Sequence, residues 1–170
     1  MDQVQGTGVK KTFLEVVSSA ISLINRDTSP SKNNVIIGGS YALALHGLMV
    51  DAKPMDIDLV VYSPTPRQMA NLNSLSYTFG KPSQISSQCS TRRSYKFDIH
   101  GREVDFLIEY DSKINTNEML QIPLRVSNIG IPESFVSVQS IKGVMEARSR
   151  YKRTKDYESC LNLKNMNFNI

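Results

Sequence analysis

Two aspartates separated by one residue are the first feature of this sequence that could do chemistry. Asp56 and Asp58 begin the segment DIDLVVY, which is otherwise apolar up to its final tyrosine. Because side chains on a β-strand alternate between its two faces, a strand here places both carboxylates on one face and Ile57, Leu59 and Val61 on the other. Two like charges on one face repel each other unless a cation lies between them. The spacing therefore predicts a cation-binding strand, with a solvated edge strand as the alternative.

A third aspartate lies inside an apolar segment. Asp105 is the only charged residue of the run VDFLI, a pattern typical of a buried strand. Burying an unpaired carboxylate is costly. A divalent cation shared with Asp56 and Asp58 would remove this cost, and so would an ion pair with a base such as Arg93 or Arg102. The sequence leaves both interpretations open.

A pair of glycines precedes these aspartates in the chain. Gly38, Gly39 and Ser40 stand between the apolar segment VII and the segment YALALHGLM. Glycine lets a backbone approach a ligand closely, and the N–H groups that begin a helix bind anions. This order predicts a phosphate cradle followed by a carboxylate site, although a tight strand-to-helix connection would show the same residues. Oxygen ligands without a cysteine or histidine cluster favour Mg²⁺ or Mn²⁺ over zinc.

The elements that must position these residues can be predicted from periodicity and turn signals. In chain order they are a helix over 13–24, a strand over 35–37, a helix over 41–49 capped by Ser40, a strand over 56–62, a helix from 63 to about 76, strands over 94–99 and 102–110 joined by a two-residue turn at His100 and Gly101, a strand over 122–129, and helices over 132–150 and 155–163. This order predicts an α+β fold, a small mixed β-sheet flanked by helices. We expect one domain over residues 1–170, with a core of about 10–130 and a C-terminal helical part of about 131–170.

Composition fits a folded domain in a reducing compartment. Of 170 residues, 40% are hydrophobic and 21% are charged, which excludes a disordered chain. The two cysteines, Cys89 and Cys160, form neither a zinc-thiolate motif nor a disulfide scaffold. We therefore expect a cytoplasmic protein. No apolar segment is long enough to span a bilayer, so no membrane partner is expected.

The positive charge is concentrated near the C-terminal end of the sequence. The formal net charge is +4, and residues 142–156 alone contain six basic and two acidic residues. A basic region of this kind fits a polyanionic ligand, such as a nucleoside triphosphate or RNA. A solvated helix face is the alternative.

In order and chemistry, these residues resemble the signature of the polymerase-β-like nucleotidyltransferases. That signature is a Gly-Ser turn, an Asp-x-Asp strand and a third aspartate on a later strand. Gly39 and Ser40 match the turn, Asp56 and Asp58 match the pair, and Asp105 matches the third acid. The runs GGSYALALHG and KPMDIDLV are most similar to the minimal members of the family, the AbiEii-like toxin-type and the lincosamide-type enzymes.

The resemblance covers about residues 33–110 and becomes weaker beyond them. Lys142 and the later Lys155-Asp156 pair resemble a Lys…Lys-Asp pattern of the toxin-type members. The sequence departs from the family before the Asp-x-Asp pair, where many relatives have Arg and Thr and this chain has Lys-Pro-Met.

The resemblance implies a nucleotidyltransferase fold and an activity. Transfer of a nucleoside monophosphate from a nucleoside triphosphate to a hydroxyl acceptor, with release of pyrophosphate, would use Mg²⁺ or Mn²⁺ held by the three aspartates as catalytic residues. Nucleotide binding is implied for Gly38, Gly39, Ser40, Lys53, Lys142 and Lys155. The acceptor stays open among RNA or tRNA, a protein and a small molecule. A catalytically inert module of the same fold that binds nucleotide or RNA is the alternative function.

Overall fold

The structure is a computed structural model that describes five segments of the chain, residues 12–28, 33–48, 56–79, 92–110 and 119–151. Within these segments the elements are α1 (Phe13–Ile24), β1 (Val35–Gly38), α2 (Gly39–Leu45), β2 (Ile57–Tyr62), α3 (Pro66–Phe79), β3 (Arg92–Ile99), β4 (Arg102–Glu109), β5 (Leu120–Val126), β6 (Pro132–Val138) and α4 (Ile141–Tyr151). None of the helices in these segments is long and apolar enough to cross a membrane.

The six strands form one mixed sheet in the order β3-β4-β2-β1-β6-β5. The two hairpins, β3–β4 and β5–β6, are antiparallel and lie at opposite ends of the sheet. At the centre, β2 runs antiparallel to β1 and parallel to β4, while β1 runs parallel to β6. The predicted α+β fold, a mixed sheet flanked by helices, is confirmed.

The two faces of β2 bury different residues. Ile57, Leu59 and Val61 belong to the main hydrophobic core, and α1, α2 and α3 contribute to the same core. Val60 lies on the opposite face in a smaller buried cluster. Asp58 shares that second face by strand alternation. The predicted separation of carboxylates from core residues along this strand is therefore confirmed.

Strand register places four residues in one row across the sheet. Gly38 on β1 pairs with Asp58 on β2, and Asp58 pairs with Asp105 on β4. Lys96 on β3 is the next member, because it pairs with Asp105. Three ionisable residues and one glycine thus lie side by side on four adjacent strands.

The turn between β3 and β4 fixes part of this register. His100 has φ of 53° and Gly101 has φ of 78°, as the predicted two-residue turn requires. The side chain of Asp98 also supports the turn, since its Oδ1 accepts a hydrogen bond of 2.8 Å from Gly101 N–H. The predicted hairpin is confirmed.

The first helix begins at a capping box that fixes its N-terminus. Thr12 Oγ1 accepts from Glu15 N–H, and Glu15 Oε2 accepts from Thr12 N–H at 2.8 Å. Its apolar stripe is buried, with Val16, Val17, Ala20 and Ile24 in the core. The prediction of a helix over 13–24 is confirmed.

The prediction of a helix over 132–150 is wrong in its first half. Residues Pro132–Val138 form β6, and α4 begins only at Ile141. Pro132 and Glu133 resemble a helix start, but the segment that follows alternates, with Val136 and Val138 buried on one face. β6 pairs with β1 and β5, and Val136 and Val138 pack in the hydrophobic core, so tertiary interactions outweigh the local helix signal. The C-terminal part from about 131 is consequently not all helical.

Three smaller boundaries also differ from the prediction. The N-cap of α2 is Gly38 rather than Ser40. The third helix begins at Pro66, where the Thr65 hydroxyl accepts from Gln68 N–H. The strand predicted over 122–129 is β5, Leu120–Val126. The helix predicted over 155–163 lies outside the described residues.

Candidate active site

The Asp58 and Asp105 carboxylates lie side by side on adjacent parallel strands. Asp56 directly precedes β2 and is exposed. Burial raises the pKa of Asp58 to about 7, and the charges of Asp105 and Asp56 contribute in the same direction. The charges of Asp56 and Asp105 therefore both oppose the ionisation of Asp58.

Asp105 has one carboxylate oxygen near a cation and one without a partner. Lys96 Nζ lies 3.7 Å from its Oδ2. No residue in the described part of the chain hydrogen-bonds its Oδ1, although this oxygen is buried. Burial raises the pKa of Asp105 to about 6, and the nearby Lys96 opposes the increase. The ion pair that the sequence offered as an alternative is therefore present in part, with Lys96 as the base.

Lys96 is a site residue that motif reading missed. Its ammonium lies 2.6 Å from Glu103 Oε1, closer than to Asp105. The predicted hairpin contained the signal, because a two-residue turn at His100 and Gly101 sets Lys96 opposite Asp105 by simple counting.

The glycine pair is packed against the carboxylate site. Gly39 has φ of +62°, and a methyl group there would lie 2.9 Å from Asp58 Cγ. A methyl group at Gly38 would lie 3.0 Å from Gln139 Oε1 and 3.0 Å from Val60 Cγ2. Glycine is thus required at position 39 by conformation and by contact, whereas a side chain at position 38 would displace Gln139 and Val60 slightly.

Ser40 contacts an arginine that the sequence alone did not single out. Arg148 Nη2 on α4 donates a hydrogen bond of 2.8 Å to Ser40 Oγ. Its charge also reaches Asp58, where it lowers the pKa. A second contact joins the end of α2 to the segment between β6 and α4, with His46 Nε2 2.8 Å from the Gln139 backbone oxygen. Arg148 therefore links the glycine-serine turn to the carboxylates.

Within the described part of the chain, none of the predicted nucleotide-binding lysines lies beside the carboxylate pair. Lys142 is exposed in the first turn of α4, six positions before Arg148. Lys53 and Lys155 lie outside the described residues. Tyr41 belongs to the core, with its ring centroid 4.8 Å from that of Phe13.

The donor chemistry fits a hard divalent cation. Two adjacent carboxylates with raised pKa values, one of them with a buried unbonded oxygen, would be stabilised by a cation that carboxylate oxygens prefer. Among the described residues, no three His, Cys, Asp or Glu side chains are already grouped as ligands of one ion. Asp58 and Asp105 are consequently the two candidate ligands that strand pairing already places side by side. The exposed Asp56 would have to turn towards them to bind the same cation.

Comparison with solved structures shows a likeness in fold. No family model and no curated protein sequence matches this sequence. The chain is similar to the crystal structure of a candidate nucleotidyltransferase from Thermotoga maritima, at 15% sequence identity and a TM-score of 0.47. The similar region covers 93% of this chain and 98% of that one. An activity cannot be assigned from a likeness of this degree, so the side chains of the site have to support the assignment.

Proposed function

We propose that the chain is a nucleotidyltransferase that moves a nucleoside monophosphate from a nucleoside triphosphate to a hydroxyl acceptor. The observation that carries this proposal is the pairing of Asp58 with Asp105 across adjacent parallel strands beside the Gly39-Ser40 turn. A carboxylate pair beside a turn that can approach phosphates provides, in one place, the two functions that phosphoryl transfer needs.

Asp58 and Asp105, together with Asp56, would hold Mg²⁺ or Mn²⁺. The cation would neutralise phosphate charge and polarise the α-phosphate for attack. The buried, unbonded Oδ1 of Asp105 supports this role, because a hydrogen-bonded structural aspartate would not leave that oxygen without a partner.

The triphosphate would lie along the Gly39 backbone, the Ser40 hydroxyl and the Arg148 guanidinium. Arginine offers several N–H donors in a planar arrangement that matches phosphate oxygens. The Ser40–Arg148 hydrogen bond supports this assignment, since it holds two donors at one position next to Asp58. Lys142, Lys53 and Lys155 remain predicted cations for the same ligand.

In the reaction, the acceptor oxygen would form a new bond to the α-phosphorus. The bond between that phosphorus and the oxygen bridging to the β-phosphorus would break, and pyrophosphate would leave with the electron pair. The acceptor hydroxyl would transfer its proton to Asp105, the carboxylate that the sequence predicts as the general base.

The acceptor is the open part of the proposal. RNA or tRNA, a protein hydroxyl and a small antibiotic all present a suitable oxygen. The basic segment over residues 142–156 favours a polyanionic acceptor.

Label transfer from each α-labelled nucleoside triphosphate tests the proposal. The protein is incubated with Mg²⁺ or Mn²⁺ and, separately, with total RNA, with protein alone and with a lincosamide. We expect transfer with wild type and with Asp27→Asn, and none with Asp58→Asn. Asp27 is an exposed aspartate in the turn after α1, so Asp27→Asn makes the same chemical change away from the carboxylate pair. Absence of transfer with every acceptor, together with a metal-dependent thermal shift by a nucleotide, would instead identify an inert binding module.

A further inference from the structure

Lys96 on β3 has two carboxylates near it on β4, those of Asp105 and Glu103. Its ammonium lies closer to Glu103, although Glu103 is the more distant of the two in the strand register. Lys96 lies directly opposite Asp105 in the hairpin, and Glu103 is its diagonal neighbour. Directly opposed Cβ atoms are about 5 Å apart, whereas diagonal positions are about 7–8 Å apart. Nevertheless the ammonium is 2.6 Å from Glu103 Oε1 and 3.7 Å from Asp105 Oδ2.

Exposure explains why Lys96 leans towards Glu103. The side chains of Lys96 and Glu103 are 39% and 40% exposed, while that of Asp105 is 16% exposed. An ammonium keeps part of its hydration beside Glu103, and full contact with Asp105 would require more of that water to be removed. Glu103 therefore offers Lys96 a partner at lower desolvation cost.

We propose that Glu103 is a positioning residue that holds the Lys96 ammonium away from Asp105, so that the Asp105 carboxylate can accept a divalent cation. This inference rests on the proposed function, because it concerns the same metal site.

The consequence of losing Glu103 follows from the geometry of the hairpin. Without a charged partner at position 103, the nearest carboxylate to Lys96 is the one directly opposite, on Asp105. A full ion pair there would neutralise Asp105, and an incoming cation would have to displace the ammonium. Loss of Glu103 should therefore weaken metal binding through Lys96, rather than only through the loss of one negative charge.

A double-mutant cycle separates these two effects. Mn²⁺ binding is measured by electron paramagnetic resonance at pH 8, without nucleotide, for wild type, Glu103→Gln, Lys96→Met and the double variant. We expect Glu103→Gln to raise the Mn²⁺ Kd about tenfold, at the lower end of the range for partners of metal ligands. In the Lys96→Met background, the same substitution should change the Kd less than about threefold, because no ammonium remains to occupy Asp105.

A matched control shows that the effect is local. Glu133 is exposed at the start of β6, three strands away from β4, and Glu133→Gln removes the same charge. We expect its Mn²⁺ Kd to equal that of wild type. Circular dichroism of each variant verifies that the fold is retained, and Glu103→Asp, which keeps the charge, provides a second variant that should bind more tightly than Glu103→Gln.

The outcomes distinguish this inference from the proposed function. If Glu103→Gln changes the Kd by less than threefold, or weakens binding equally with and without Lys96, the positioning role is wrong while the metal site stands. If wild-type protein binds no Mn²⁺, both the metal site and this inference are overturned.

Discussion

The backbone of Gly39 lies directly against the carboxylate of Asp58, so that a methyl group at position 39 would be 2.9 Å from Asp58 Cγ. The glycine begins α2 and the aspartate lies on β2, so this contact joins the turn to the carboxylate pair. Any side chain at position 39 would overlap with the Asp58 carboxylate and force it to move. The glycine turn and the carboxylate pair therefore form one structural unit.

Gly39→Ala should damage both stability and transfer. The substitution adds backbone strain at a φ of +62° and also displaces Asp58. We expect a loss of about 2–4 kcal/mol in the free energy of unfolding, measured with urea, from left-handed strain of about 1–2 kcal/mol and the added steric contact. Gly47→Ala is the control, because Gly47 has φ of +86° and no other described residue lies within 4 Å of the added methyl. Equal losses in the two variants would mean that the contact with Asp58 is unimportant.

Asp58→Asn should stabilise the metal-free protein while it removes activity. Burial and the neighbouring carboxylates disfavour the Asp58 charge, and asparagine has nearly the same shape without that charge. We expect the melting temperature in EDTA to rise by about 3–6 °C, as roughly 1–2 kcal/mol of relieved repulsion would produce in a domain of this size. A lower melting temperature than wild type at pH 8 would show that the Asp58 charge is well compensated in the fold.

Stability of the metal-free protein should fall as pH rises from about 5 to about 8. In the fold, the pKa of Asp58 is raised to about 7 and that of Asp105 to about 6, both from an ordinary value of 3.8. Groups whose pKa is raised by folding stabilise the protein below their unfolded pKa, and this stability is lost as pH rises through the folded values. Urea unfolding in EDTA should show a decrease of about 1 kcal/mol or more for wild type. The Asp58→Asn/Asp105→Asn variant should lack this component, and Mg²⁺ should reduce the decrease in wild type because it binds the ionised carboxylates.

Arg148 should contribute more to nucleotide binding than Lys142. The guanidinium of Arg148 reaches Ser40 Oγ at 2.8 Å, whereas Lys142 is exposed six positions earlier on the same helix. Arg148→Met should raise the KM for the preferred nucleoside triphosphate about tenfold or more, as expected for loss of a charge-assisted contact of about 1.5–3 kcal/mol. Lys142→Met should raise it less than about threefold. The reverse order would place the triphosphate nearer the beginning of α4.

The carboxylate site could be predicted from sequence because its chemistry is local to two strands. Asp56 and Asp58 are set by strand alternation, and Asp105 interrupts an apolar run, so each signal is contained in a few consecutive residues. The distance between them could not be predicted, because the parallel pairing of β2 with β4 joins segments about 45 residues apart. That pairing depends on the whole sheet.

The cations of the site were harder to find for different reasons. Lys96 follows from hairpin register, which the predicted turn already contained. Arg148 belongs to a basic segment in which no pattern distinguishes one base from another, and only the packing of α4 against α2 selects it. The start of that helix was also misplaced, because Pro132 signals a helix N-terminus locally while β6 is stabilised by strands distant in sequence.

The turn at His100 and Gly101 sets the register of the site residues on β3 and β4, although neither turn residue is part of the site. Lys96 and Asp105 each lie four positions from this turn, roughly 13 Å along the strands. A single residue inserted at the turn would shift the register of β3 against β4. Asp105 could then remain beside Asp58 or opposite Lys96, but not both. A protein with such an insertion would keep every charged side chain of the site and its sheet, yet Asp105 would lose either its place beside Asp58 or its place opposite Lys96. Loop length in this hairpin is therefore a determinant of how these charged side chains are arranged.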